Sequence, residues 1–186
     1  MNQNDEYDIV DAIGPYHDFW LIRPTELEYS QYQHLVGRKD APVRLSDDVF
    51  GYLEQTLIWV PNDYSGRHET STGYGLNRYG PTVIPSASGE CFRQICLGWA
   101  QIFAQGPKPL ILTHGWTSVD EEERAVTQDY VAVDWSLTGT SKEALTAWHP
   151  YRFRIPRACL VRDLEHLAEF GAQMASGEYF LLHLGI

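Results

Sequence analysis

One local pattern occurs twice and constrains the fold more than anything else in the chain. Phe92, Ile95, Cys96, Trp99, Ile102 and Phe103 fall at spacings of three and four residues, one apolar stripe about three helical turns long. Ser86 or Ser88 is placed to cap that helix, and Gly106-Pro107 ends it. A short, nearly continuous apolar run, Leu110-Ile111-Leu112-Thr113, follows and reads as a buried strand. The chain closes in the same way. Leu160, Leu164, Leu167, Gly171 and Met174 stripe a long helix, Gly177 ends it, and Tyr179–Leu184 reads as a buried strand. Buried strands beside amphipathic helices predict an α+β (α/β-like) single domain, a central mixed β-sheet packed with helices. A chain of 186 residues that is 44% hydrophobic and 13% aromatic can build that one core.

Shorter signals fill in the rest. Tyr7–Ile13 and Tyr16–Arg23 read as strands inside an acidic N-terminal segment, residues 1–24. Thr25-Glu26-Leu27-Glu28 has capping-box form and predicts a helix that Gly37 could end. Ser46 or Asp47 caps another, with Val49, Phe50, Leu53 and Leu57 on one face. Residues 61–81 are rich in Gly, Pro, Ser, Asn and Tyr and predict a long, ordered, irregular loop. Val119–Val126 reads as a short helix, Tyr130–Trp135 as a strand, and Thr140–Trp148 as a capped helix stopped by His149-Pro150.

The formal net charge of −11 disfavours nucleic acid as a direct partner and suits a basic protein. The acid is clustered. Residues 1–30 hold seven carboxylates against Arg23 alone, and residues 116–145 hold seven against Arg124 and Lys142. Those two segments account for the whole excess. Cys91, Cys96 and Cys159 cannot all pair, and residues five apart on a helix lie about 140° apart around its axis, which suits neither a disulfide nor a metal. The N-terminus lacks the basic and apolar regions of a signal peptide, and no run reaches the length of a membrane span. A cytoplasmic chain that contacts no membrane is expected.

Catalytic and cofactor signatures are weak. His114-Gly115 after a strand has the form of a hydrolase oxyanion turn, but no G-x-S-x-G nucleophile elbow follows. The seven histidines are scattered singly, which predicts no metal site, and Gly73-x-Gly75 lacks the spacing of a dinucleotide fingerprint. A non-enzyme without cofactor is expected. The alternatives are a small hydrolase-like enzyme using His114-Gly115 and a non-catalytic adaptor subunit.

Several segments carry a resemblance: Gly75-Leu76-Asn77-Arg78-Tyr79-Gly80-Pro81-Thr82-Val83-Ile84, then a helix with Trp99, Gly106-Pro107, Leu110–Thr113, Trp116, and the ending Leu182-His183-Leu184-Gly185-Ile186. Together they resemble immunity proteins of bacterial polymorphic and contact-dependent growth inhibition toxin systems. The resemblance implies a cytosolic antidote that binds and neutralises a cognate toxin domain, expected to be a basic nuclease, by blocking its active site. No catalytic residue carries over. The expected toxin contacts are Asp120, Glu121, Glu122 and Glu123 beside Trp116 as an aromatic anchor, with Asp5, Glu6, Asp8 and Asp11 as a second patch.

Overall fold

The structure is a computed structural model and describes residues 9–11, 16–24, 29–64, 71–118 and 148–185. In chain order the elements are β1 (Ile9–Asp11), β2 (Tyr16–Ile22), a 3-10 helix (Tyr29–Leu35), β3 (Val43–Ser46), α1 (Asp47–Leu57), β4 (Pro61–Tyr64), β5 (Ser71–Tyr74), β6 (Pro81–Ile84), α2 (Gly89–Ala104), β7 (Leu110–Ser118), β8 (Trp148–Ile155), α3 (Arg157–Met174) and β9 (Phe180–Leu184). Six strands form one sheet in the order β3-β2-β9-β6-β4-β5, and three form another in the order β1-β8-β7. The chain is an α+β domain, as its stripes and apolar strands predict. Every neighbour pair in the larger sheet is antiparallel. The mixed character comes from the smaller sheet, where β1 runs parallel to β8 and β7 antiparallel to it.

Alternation along the strands sorts the core. Phe19 on β2, Val43 and Leu45 on β3, Leu181 on β9 and Ile84 on β6 join one cluster with Phe50 and Leu53 of α1, Phe92 and Phe103 of α2, and Leu160, Leu164, Leu167 and Met174 of α3. Leu110, Leu112 and Phe153 of the smaller sheet are buried in that same cluster, so both sheets share one core. The opposite face of the large sheet buries Ile22, Leu182 and Leu184 under Leu35 of the 3-10 helix.

The helix pair α2–α3 is set by glycine. A Cβ on Gly89 would lie 2.7 Å from the Gly171 carbonyl oxygen, and one on Gly171 would lie 2.7 Å from that of Gly89. At the other end of the pair, Arg157 Nη1 donates to the Gly106 carbonyl at 2.5 Å. The start of each helix therefore meets the end of the other, and the two run antiparallel. Trp99 on α2 donates Nε1 to Thr56 Oγ1 at 2.8 Å and packs with Tyr52 and Phe103, tying α2 to α1.

Three local expectations change. Residues 61–64 and 71–74 are strands rather than irregular loop, while 65–70 lie outside the described residues: β4 and β5 pair antiparallel, Pro61 opposite Tyr74 and Tyr64 opposite Ser71, and β6 begins at Pro81. Glycine serves pairing there, because a Cβ on Gly73 would lie 2.8 Å from Oδ1 of the buried Asn62, whose Nδ2 donates to the Gly75 carbonyl. The helix expected to end near Gly37 is a 3-10 helix, with Gly37 at φ +77° beyond it; its capping residues 25–28 lie outside the described residues. Trp148 is the first residue of β8 rather than the end of a helix. Pro150, read as a helix stop, sits inside β8 between His149, opposite Thr117, and Tyr151, opposite His114. The register shifts at that point, so the missing proline N–H costs no regular ladder bond. The expected elements within 119–147 lie outside the described residues.

Candidate functional site

The residues expected to contact a toxin fall mostly outside the described part of the chain. Asp5, Glu6, Asp8, Asp120, Glu121, Glu122 and Glu123 all lie outside it. Asp11 is the last residue of β1, in register with Arg154 of β8. Trp116 is in β7, at the register irregularity between His114 and Thr117. His114 and Gly115 lie within β7 and do not form the strand-to-helix turn that an oxyanion site would need. Asp18, one of the acidic N-terminal residues, is buried and accepts a hydrogen bond from Arg44 Nε at 2.7 Å, so it belongs to the sheet rather than to an open acidic face.

What the fold does assemble is a buried polar line that no local spacing predicts. Strand alternation places His17 of β2 and His183 of β9 on the helix-covered face, both fully buried. His17 Nδ1 lies 2.9 Å from His183 Nε2, and His17 Nε2 lies 3.0 Å from Asp47 Oδ1. Asp47 is the first residue of α1, where Ser46 as N-cap accepts a hydrogen bond from Val49 N. Arg78 closes the line with a fork onto the same carboxylate, Nε at 3.0 Å and Nη2 at 2.6 Å. Phe50 stacks on His17 with ring centroids 3.7 Å apart.

The chemistry fixes where the protons sit. An ionised Asp47 only accepts, so His17 Nε2 carries a hydrogen and its Nδ1 accepts. His183 Nε2 must then donate to His17, which leaves Nδ1 of His183 bare, with no partner among the described residues. Burial lowers the His17 pKa, against the pull of the Asp47 hydrogen bond and charge. Burial also holds His183 well below the ordinary histidine value. Burial would raise the Asp47 carboxyl, but the Arg78 and His17 hydrogen bonds outweigh it and the net shift is downward. Both imidazoles are therefore neutral near pH 7, and Asp47 is an anion clamped by Arg78. The terminal Nδ1 is enclosed by protein, so this line acts as a lock and not as an open relay to substrate.

The lock holds the segment 75–80 against α1 and β9. Gly75 and Gly80 adopt φ +87° and +101°, which only glycine takes without strain. Gly185 donates its N–H to the Gly80 carbonyl at 2.9 Å, and a Cβ on Gly185 would lie 2.4 Å from the Arg78 carbonyl oxygen. Around this segment stand side chains that the core does not cover. Trp59 is 60% exposed, Tyr74 75%, Tyr79 76% and Ile58 49%. The stretches carrying Ile58, Trp59 and Tyr74 are close along the backbone: Gly75 N donates to the Val60 carbonyl at 2.8 Å, Tyr74 pairs with Pro61, and a Cβ on Gly75 would lie 3.3 Å from the Ile58 Cα, while Tyr79 follows Arg78 near the other end of the segment. Glu54 lies 3.8 Å from Arg78, and Asp63 is exposed on β4 beside Asn62. Tyr74 sits on β5, an edge strand of the large sheet.

All three cysteines are free: Cys91 half-buried, Cys96 buried and Cys159 exposed. Among the described residues no group of three His, Cys, Asp or Glu could hold a metal ion, and no helix is long and apolar enough to cross a membrane. The fold and site thus define an α+β domain with a buried His–His–Asp–Arg lock and an exposed aromatic rim. No protein-family model, curated protein or solved structure matches the chain.

Proposed function

We propose that this chain is an immunity protein, an antidote that binds one basic toxin domain, a nuclease in our reading, and covers its active site. The observation that carries the proposal is the rim of Ile58, Trp59, Tyr74 and Tyr79, solvent-exposed on a scaffold locked from beneath, in a chain of net charge −11. Tyr and Trp dominate the buried anchors of tight interfaces, because they bury much area for little lost rotamer freedom. A rigid platform loses little further entropy on docking. The carboxylates Glu54 and Asp63 border the rim, and the acidic segments that include Asp5–Asp11 and Asp120–Glu123 add a long-range field that steers a basic partner and repels acidic ones. The resemblance of residues 75–84 and 182–186 to bacterial immunity proteins points the same way, since these two segments meet at the lock. The proposed place of action is the cytoplasm of the cell that makes the toxin.

The test is to ask whether the adjacent gene encodes a toxin domain and to co-express that domain with this chain, scoring growth and co-purification. The proposal expects rescue and a stable complex. Continued killing with no complex, from a chain that is folded and expressed, contradicts it. The same rim would also serve an adaptor subunit, which would assemble with itself or a fixed partner in the absence of any toxin.

A further inference from the structure

A second surface of opposite character lies at the far end of the helix pair, where α2 leads into β7 and β8 leads into α3. A cleft of about 320 Å³ is lined there by Lys108, Pro109, Arg154, Pro156, Arg157 and Ala158. The chain has 25 acidic residues against 14 Lys and Arg, yet among the described residues three cations and no acid line this cleft. None of the three makes an ion pair among the described residues.

The backbone adds to that charge. Arg157 is the first residue of α3, a helix of 18 residues with no acidic residue in its first turn and no side-chain hydrogen bond from its N-cap, Pro156. Cys159 N and Leu160 N turn back to the Pro156 carbonyl, while no such bond serves the N–H groups of Arg157 and Ala158. Cations gathered at the positive end of a helix repel its dipole and one another, and an anion seated between them removes that penalty. Arg154 Nε is a separate sign of the same deficit: it is buried and has no hydrogen-bond acceptor among the described residues. Arg157 is held in place by its bond to the Gly106 carbonyl, so part of the cleft is pre-formed.

We propose that this cleft binds a small organic phosphate monoester. Three cations and two helix N–H groups offer more donors than the two oxygens of a carboxylate can accept, whereas a dianionic phosphate presents three terminal oxygens. Pro109, Pro156 and Ala158 give the remaining wall an apolar surface, suited to the organic part of an ester. The volume is at the small end of ligand sites, which range from about 300 to 1,000 Å³, and suits a small ligand. This proposal does not depend on the partner-binding rim.

The experiment titrates the full-length chain, labelled with nitrogen-15, separately with inorganic phosphate and phenyl phosphate, following amide shifts. Saturable shifts confined to residues near 106–109 and 154–159 are expected, with phenyl phosphate binding more tightly. Lys108→Gln is expected to weaken binding about tenfold, as loss of one charge-assisted bond would. Ala158→Asp, which supplies a carboxylate to the helix start, is expected to abolish binding while leaving thermal stability equal or higher. No saturable shift with either probe at millimolar concentration, or undiminished affinity in both variants, would overturn the site. Inorganic phosphate binding as tightly as phenyl phosphate would overturn the assignment to an ester.

Discussion

His17 and His183 stand 166 residues apart in sequence and share a hydrogen bond of 2.9 Å at the centre of the large sheet, both rings closed off from water. That contact couples β2 to β9 and, through Asp47 and Arg78, couples both strands to α1 and to the segment that carries Tyr74 and Tyr79 at its ends. The rigidity proposed for the aromatic rim depends on it.

The first prediction concerns pH. The folded-state pKa of His17 and of His183 lies below the ordinary value of 6.5, so the unfolded chain binds more protons between those values. Their contribution to stability is complete above pH 6.5 and is lost as pH falls below it through the folded-state values. Asp47, also lowered, contributes fully above its ordinary value of 3.8 and loses that contribution only in stronger acid. Urea midpoints measured between pH 7.5 and pH 5 should fall in the wild type, and fall less steeply in His183→Gln. Equal slopes in the two proteins would mean that the pair does not carry the titration.

The Arg78–Asp47 fork should matter more than a surface ion pair, because Asp47 also holds His17. Arg78→Ala leaves a partly buried carboxylate with one partner fewer, and should cost about 1–3 kcal/mol by chemical denaturation. Arg162→Ala, which breaks an exposed pair with Asp163, should change stability by less than about 0.5 kcal/mol.

Two glycines offer a paired test of close approach. Gly185→Ala puts a methyl group against the backbone of Asn77 and Arg78, which must move, and should cost about 1–3 kcal/mol. Gly98→Ala, inside α2 with nothing within 4 Å of the new Cβ, should be neutral or gain up to about 1 kcal/mol from helix propensity.

The cysteines should separate by reactivity. Burial pushes the Cys96 thiol far above its ordinary value, while Cys159 is exposed. A thiol reagent at pH 8 should label Cys159 quickly in the native chain and Cys96 only on unfolding, read by peptide mass. Labelling of Cys96 at the rate of Cys159 would contradict the packing of α2.

The helices were legible in the sequence because their signal is local. Leu160, Leu164, Leu167, Gly171 and Met174 are all buried in α3, and Ser46 caps α1. The α2 stripe was less exact: Phe92, Cys96 and Phe103 face the core, but Ile102 is 59% exposed, since its position lies at the edge of the apolar face. The β4–β5 pairing was hidden by glycines, prolines and polar residues that read as loop, while Asn62 and Gly73 in fact fit together across the pair. The histidine lock was not legible at all. A histidine inside the apolar strand Phe180–Leu184 was a signal of a buried polar partner, but only strand order brings His17 to it. The aromatic rim was invisible for a related reason, because exposure of Tyr74 depends on which strand ends at the sheet edge and that of Trp59 on how the turn after α1 packs.

The most direct test of the proposed function is the affinity of the chain for a toxin domain encoded by the adjacent gene, with Trp59 and Tyr74 replaced singly by alanine. Both side chains project from the core, so each variant should keep its unfolding midpoint within about 0.5 kcal/mol. If the rim is the docking surface, each should lose at least about 2 kcal/mol of binding energy, a drop of roughly thirtyfold. Wild-type affinity in both folded variants would contradict it.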